Sequence, residues 1–268
     1  MAHPVLPITQ LQRVELEKII LQAGTSLMSY WPADGGPRDL EIETKKDGSL
    51  VTKADFESND ILIAGLKKLF PMDGIFSEEQ DGWNEKVNAV STWIIDPLDG
   101  TKSFTEGNDD FSVLLGRCVQ KQIDFGMMYF PARKLFAWGE NGKGAVVNET
   151  RMQVSTSKVF RDRAVYLRHL KSSQENFVYD RWLDSGMAFL NLCRGEFDGV
   201  IIKLKHHQEW DLAAATLLIK ESGGEVTDEA GIPFLFNLAP VKSGYFVASN
   251  GKTHSALLDL IKKNENQD

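Results

Sequence analysis

Two aspartates three residues apart are the side chains best placed for chemistry, in the stretch Asp96-Pro97-Leu98-Asp99-Gly100-Thr101. Pro97 stiffens the turn between them, so both carboxylates can converge on one point. Convergent carboxylates repel each other unless a cation lies between them, and hard oxygen ligands favour Mg²⁺, Mn²⁺ or Ca²⁺. Asp-Pro and Asp-Gly are also ordinary turn formers. Taken alone, the stretch therefore fits a metal site and a simple turn equally well.

The last two residues of this stretch, Gly100 and Thr101, have a backbone that a ligand can approach. Glycine lacks a Cβ, and successive backbone amides form small concave sites for anions. The amides of Gly100 and Thr101 are therefore candidates for holding a phosphate.

Further acidic residues lie far from this stretch in the sequence. Glu78-Glu79 follow the apolar pair Ile75-Phe76, Asp55 lies in the first turn of a predicted helix, and Asp211 begins another. Each has an ordinary structural interpretation, because acidic residues are common in solvated loops and at helix N-termini. Their joint order along the chain is more informative than any one of them.

The elements that must position these residues follow from the hydrophobic pattern. Thr9 and Gln12 have the spacing of a capping box, and Leu11, Val14, Ile19, Ile20, Ala23 and Leu27 follow at helical intervals. Pro32 to Arg38 interrupts that helix. Helices are predicted over about 9–30, from 53 to before Pro71, and near 186–194, 209–222 and 255–263. Strands are predicted at 92–95, 111–119, 123–129, 135–138, 145–147, 164–167, 199–202 and 245–248, the central ones forming an antiparallel meander.

Composition excludes several classes of protein. The 268 residues carry a formal charge of −8, which disfavours binding to nucleic acid polymers or anionic membranes. Only two cysteines occur, and residues 1–10 have no apolar run behind a basic start, so a cytoplasmic location without a signal peptide is expected. No stretch has the length of a membrane span. One domain over 1–268 is predicted, with halves at about 1–150 and 151–268.

Five ordered blocks in this sequence resemble the inositol monophosphatase superfamily. They are Lys46 to Asp55, Ser77-Glu78-Glu79, Trp93 to Thr101, Trp210 to Ala214 and Glu221-Ser222-Gly223-Gly224. The resemblance spans about residues 10–260 and implies an α+β fold, a layered αβαβα sandwich. It also implies hydrolysis of phosphate monoesters that depends on two or three Mg²⁺ ions, with Mn²⁺ as a substitute, and that Li⁺ inhibits. A homodimer is implied as well.

The resemblance assigns roles residue by residue. Glu78, Asp96 and the carbonyl of Leu98 would hold the first metal ion, and Asp96, Asp99 and Asp211 the second. Thr101, paired with Asp55, would orient and help to deprotonate the attacking water. The backbone of Gly100 and Thr101 would hold the phosphate.

The substrate is less determined, beyond being a small phosphate ester. Lys102 and the segment Asn108 to Val113 look more like the bisphosphate nucleotidase branch, in which Lys102 would contact a second phosphate. However, Leu167-Arg168-His169-Leu170 stands where that branch carries a Ser-rich, His-containing segment, and Ala215 replaces a frequent glycine. A 3′(2′),5′-bisphosphate nucleotide is favoured slightly. Inositol 1-phosphate, a sugar phosphate and histidinol phosphate remain alternatives, as does a non-catalytic relative that binds metal or ligand.

Overall fold

The computed structural model describes residues 6–31, 40–45, 48–80, 89–162, 164–170, 177–179, 183–205, 207–237 and 244–265. The interruption predicted at Pro32 to Arg38 lies outside the described residues. The helices are α1 (Gln10–Tyr30), α2 (Lys53–Leu69), α3 (Thr101–Thr105), α4 (Ser185–Cys193), α5 (Glu209–Glu221) and α6 (His254–Glu265).

Within these residues the strands form three sheets. They are β1 (Glu43–Thr44), β2 (Leu50–Val51), β3 (Gly74–Ser77), β4 (Ser91–Asp99), β5 (Ser112–Val119), β6 (Gln122–Phe130), β7 (Leu135–Glu140), β8 (Gly144–Val147), β9 (Thr150–Arg151), β10 (Val165–Arg168), β11 (Val178–Tyr179), β12 (Gly199–Lys203), β13 (Glu225–Thr227) and β14 (Tyr245–Ser249). A seven-stranded sheet runs in sequence order from β3 to β9, with β3 parallel to β4 and the remaining pairs antiparallel. A five-stranded sheet has the order β11-β10-β12-β14-β13, and β1 pairs with β2.

The layers follow from side chains that alternate between the two faces of each strand. On β4, Trp93 and Ile95 pack with α1 and α2, whereas Ile94 faces a second cluster that contains residues of α4 and α5. On β12, Ile201 joins a third cluster with Leu257 of α6. Helices therefore cover both outer faces and lie between the two sheets, which confirms the predicted αβαβα sandwich.

Capping boxes determine where the helices α1 and α2 begin. The Thr9 hydroxyl accepts a hydrogen bond from the Gln12 amide, and the Thr9 amide donates one to Oε1 of Gln12, so the predicted capping box is confirmed. Thr52 and Asp55 form the same arrangement at α2. One residue of the predicted apolar pattern of α1 is corrected: Leu11 is 73% exposed, whereas Leu16, Ile20, Ala23 and Leu27 form the buried face.

Helix α5 lies unusually close to the seven-stranded sheet. Gly116, Gly126 and Gly139 stand on neighbouring strands beneath it, and a Cβ on Gly116 would lie 2.9 Å from the Cβ of Ala213 and 3.2 Å from the backbone nitrogen of Ala214. Because a Cβ essentially never lies under 3.0 Å from another heavy atom, the bare backbone at Gly116 sets the distance between α5 and the sheet. That distance matters because α5 carries Asp211.

The shortest elements escape prediction from the sequence. Strands β1, β2, β9 and β11 have two residues each, and α3 has five. Such elements carry too few residues to show a hydrophobic period. The seven-stranded sheet ends at Arg151 and the five-stranded sheet begins at Val165, while the division of the chain into one domain with two halves stays a prediction.

Replacing Gly116 with valine tests the close approach of α5. We expect Gly116→Val to lower the free energy of unfolding by about 1–3 kcal/mol, since overpacking forces backbone shifts. The measurement is urea denaturation followed by circular dichroism, with Thr150→Val on the exposed strand β9 as the control. Equal stability of the two variants would contradict the role given to Gly116.

Candidate metal and phosphate site

Asp96 and Asp99 lie at the end of β4, where its pairing with β5 becomes irregular. The register of the two strands shifts between Asp96 and Asp99, and an oxygen of Asp96 accepts a hydrogen bond of 3.0 Å from the Leu98 amide. The carbonyl of Pro97 accepts one of 2.7 Å from the Ser58 hydroxyl on α2. The turn expected after the strand is therefore a distortion within it, because β4 continues to Asp99.

Asp211 joins these two aspartates from the N-terminus of α5. One of its oxygens accepts a hydrogen bond of 2.6 Å from the Gln208 amide, in a capping box. One oxygen from each of Asp96, Asp99 and Asp211 lies within 4.8 Å of the other two. The predicted convergence of these three side chains is thus present in the structure.

Asp99 is held by contacts on two sides. Its Oδ2 accepts a hydrogen bond of 3.1 Å from the Ser112 hydroxyl on β5. On the other side, a Cβ on Gly186 in α4 would collide with the Asp99 carboxylate. The absence of a side chain at Gly186 therefore makes room for Asp99 at the start of that helix.

Asp55 divides its two oxygens between structure and site. Its Oδ2 accepts hydrogen bonds from the amide and hydroxyl of Thr52, at 2.8 and 2.6 Å, which fixes it in the first turn of α2. Its Oδ1 lies 3.3 Å from the Thr101 hydroxyl, which is also 3.1 Å from the Leu98 carbonyl. Burial raises the pKa of Asp55 to about 6, against the opposing effect of Thr52.

Glu78 does not belong to the set of three converging carboxylates. Its Oε1 lies 2.8 Å from the Lys45 ammonium, which also lies 2.6 Å from Glu79. Burial, and next to it the charge of Glu78, raise the pKa of Glu79 to about 7. Sequence reasoning missed Lys45, since a single lysine beside a two-residue strand carries no pattern.

Gly100 follows Asp99 directly and begins the candidate phosphate cradle, which consists of the backbone amides of Gly100 and Thr101. Its φ of 82° lies in the left-handed region, where glycine is favoured, and it precedes α3. A Cβ there would lie 3.3 Å from the Cγ of Asp184 and 3.4 Å from the Cα of Phe111. Glycine is therefore required both by the backbone angle and by its close neighbours.

Lys102 faces a cavity that opens beside this turn. The cavity has a volume of about 520 Å³, and its lining includes the basic residues Lys102, Arg133 and Arg168 and the acidic residues Glu106, Asp109, Asp110 and Asp184. Lys102 itself is 80% exposed and lies 3.9 Å from Glu106. Arg168 and Asp184 were not among the site residues expected from the sequence.

The electrostatics of the three aspartates favour a bound cation. Burial raises the pKa of Asp96 well above its ordinary value, and Glu78 and Asp99 raise it further. Burial, followed by Glu78, raises the pKa of Asp211 to about 8. Burial and then Asp184 raise the pKa of Asp99. The donors are hard carboxylate oxygens, so their chemistry fits Mg²⁺ or Mn²⁺.

Comparison with known proteins points to one family of phosphatases. The Inositol monophosphatase family matches residues 9–266. The chain is 31% identical to an inositol-1-monophosphatase of Mesorhizobium japonicum over 91% of this chain and 93% of that protein. It is 28% identical to a histidinol-phosphatase of Chlorobaculum parvum over 78% of this chain and 83% of that protein.

A solved structure agrees with these matches. The extragenic suppressor protein suhB of Bartonella henselae is 25% identical, with a TM-score of 0.80 over 95% of this chain and 99% of that one. Among the described helices, none has the length and apolar character needed to cross a membrane. With its family match over nearly the whole length, this chain belongs to the inositol monophosphatase family of phosphoric monoester hydrolases.

Proposed function

We propose that this protein hydrolyses the phosphate monoester of a small metabolite with the help of Mg²⁺. The convergence of Asp96, Asp99 and Asp211 within 4.8 Å carries this proposal. Three carboxylates in one place, two of them buried and Asp211 partly buried, repel one another, and a phosphate ester adds up to two more negative charges. Divalent cations would offset the repulsion among the carboxylates as well as the repulsion between the carboxylates and the phosphate.

In this proposal the ligands divide into two sets. Glu78, Asp96 and the Leu98 carbonyl would hold one cation, and Asp96, Asp99 and Asp211 would hold a second. When bound, such cations supply positive charge to the phosphate and lower the pKa of water. Because Lys45 pairs with Glu78 at 2.8 Å, Glu78 would exchange that partner for the cation.

Thr101 and Asp55 would act on the attacking water. The hydroxyl of Thr101 lies within reach of the free Oδ1 of Asp55, and the other oxygen of Asp55 is occupied by Thr52. The pair is thus held rigidly from the α2 side. The proton of the water passes to Thr101, whose own proton passes to Asp55, a general-base arrangement.

The backbone of Gly100 and Thr101 would hold the phosphate. Gly100 offers an amide without a side chain to shield it, and Thr101 is the first residue of α3. Backbone amides in such a position receive anions. The leaving group would then extend toward the cavity beside Lys102.

For the substrate, a 3′(2′),5′-bisphosphate nucleotide remains the first candidate, and its leaving group would be the nucleotide that keeps the other phosphate. Lys102, Arg133 and Arg168 line the same cavity, which supports a second phosphate in contact with Lys102. A leaving group without a second phosphate, such as inositol, a sugar or histidinol, is the second candidate. It is favoured by the acidic partners of these cations, since Arg133 lies 2.7 Å from Asp109 and Lys102 lies 3.9 Å from Glu106.

Asp96→Asn tests the metal mechanism. We expect a loss of phosphate release by about 100-fold or more, because charge stabilisation by the cation is worth several kcal/mol, while the circular dichroism spectrum is unchanged. The matched control is Asp60→Asn on the exposed side of α2, and EDTA should abolish the activity of the parent protein. Full activity in EDTA, or in Asp96→Asn, would refute the metal mechanism, whereas a parent protein that releases no phosphate would leave a non-catalytic binding protein as the alternative.

Thr101→Val tests the activation of water. The change keeps the shape and removes the hydroxyl, so kcat should fall by about 100-fold, the lower part of the range for general acid–base catalysis. Thr101→Ser should retain most activity. Thr105→Val, in the same short helix, serves as the control, and a normal kcat in Thr101→Val would remove Thr101 from the reaction.

Lys102→Met tests the choice of leaving group. If Lys102 contacts a second phosphate, the ratio of kcat/KM for adenosine 3′,5′-bisphosphate to that for adenosine 3′-monophosphate should fall by about tenfold, as expected for a charge-assisted contact. Inositol 1-phosphate, fructose 1,6-bisphosphate and histidinol phosphate complete the panel, and Lys68→Met is the surface control. An unchanged ratio would show that Lys102 does not contact a second phosphate.

A further inference from the structure

An ion pair that none of the roles above uses borders the candidate phosphate cradle. Arg168 is the last residue of β10, and Asp184 directly precedes α4. Their side chains meet with Nη1 of Arg168 3.3 Å from Oδ2 of Asp184, and only 23% and 11% of them is exposed. Both line the cavity of about 520 Å³ beside Lys102.

The carboxylate of Asp184 lies directly against Gly100. A Cβ on Gly100 would be 3.3 Å from the Cγ of Asp184 and 3.6 Å from its Oδ1. After burial, Asp184 is the strongest influence that raises the pKa of Asp99, and Arg168 opposes it. An unpaired carboxylate at this place would repel a phosphate held by the Gly100 amide.

Asp184 is fixed in this position. Its amide donates a hydrogen bond of 2.7 Å to Oδ2 of Asp110, a buried residue. An aspartate in front of a helix usually accepts a hydrogen bond from an amide of the first turn, but the side chain of Asp184 makes no such bond to α4. Its carboxylate contacts Arg168 and the Ser185 hydroxyl instead.

Arg168 is suited to neutralise that carboxylate. Burial is the largest single influence and lowers the pKa of the Arg168 guanidinium, but Asp184, Tyr166 and Asp99 together outweigh it, so the pKa of Arg168 is raised. Arginine stays protonated in proteins, so the positive charge is permanent. The pair is therefore a fixed element of zero net charge at the edge of the cradle.

We propose that Arg168 is a positioning residue for phosphate binding: it pairs with Asp184, so that the Gly100–Thr101 cradle can receive a dianion. This inference rests on the proposed phosphatase function. Removing Arg168 would leave a buried carboxylate unpaired next to the bound phosphate. The loss of Arg168 should therefore lower the affinity for phosphate and leave the rate of the chemical step almost unchanged.

A charge-swap series tests the inference, with KM, kcat and the inhibition constant of inorganic phosphate measured at saturating Mg²⁺. We expect Arg168→Met to raise KM and the inhibition constant by about tenfold, since it leaves Asp184 unpaired, with kcat almost unchanged. Asp184→Asn alone should bind phosphate as tightly as the parent or more tightly. The double variant Arg168→Met/Asp184→Asn should return to within about threefold of the parent, because the two charges are removed together.

Two further variants separate this effect from a general loss of stability. Arg168→Lys keeps the positive charge and should bind phosphate almost as the parent does. Arg117→Met breaks a different buried ion pair, with Asp124 at 2.7 Å, and should lower the melting temperature without changing the inhibition constant of phosphate.

Several outcomes would overturn the role of Arg168. They are a normal inhibition constant in Arg168→Met, a double variant no better than Arg168→Met, and weaker phosphate binding in Asp184→Asn. Each presupposes an active parent protein. If the parent itself releases no phosphate in Mg²⁺ from any ester of the panel, the proposed function fails instead.

Discussion

The mutual repulsion of Asp96, Asp99 and Asp211 is the constraint on which the rest of the site depends. Their oxygens lie within 4.8 Å of one another, and burial makes each charge less favourable than it would be in water. Packing and the hydrogen bonds from the Leu98 amide, the Ser112 hydroxyl and the Gln208 amide must hold them together. The protein accepts this unfavourable arrangement because the same repulsion becomes an attraction when a divalent cation is bound.

Local structure holds each acidic group before any cation binds. Asp55 and Asp211 both occupy the third position of a helix, where one oxygen accepts a capping hydrogen bond. The structural and functional interpretations of these two residues are therefore not alternatives. Since a carboxylate has two oxygens, one can fix the side chain while the other remains available to the site.

Ion pairs balance acidic charges near the three aspartates. Lys45 contacts Glu78 and Glu79, and Arg168 contacts Asp184. Each cation compensates an acid close to the three aspartates. In the proposed reaction, Glu78 exchanges Lys45 for a metal ion, whereas Asp184 keeps Arg168 and thereby protects the phosphate cradle from an unpaired charge.

The sequence by itself determined the principal helices, the antiparallel meander and the acidic residues of the site. Capping boxes and strand periods depend on residues a few positions apart, so they can be read locally. The layered fold and the roles of the acids came from the order of five motifs, which no single residue type would have revealed. The resemblance predicted that Asp96, Asp99 and Asp211 converge, but only the tertiary structure decided how: Asp211 reaches the other two because α5 approaches the sheet closely at Gly116. Lys45, Arg168 and Asp184 entered the site for the same reason: long-range packing fixes their partners, and nothing in their immediate neighbours in the sequence specifies them.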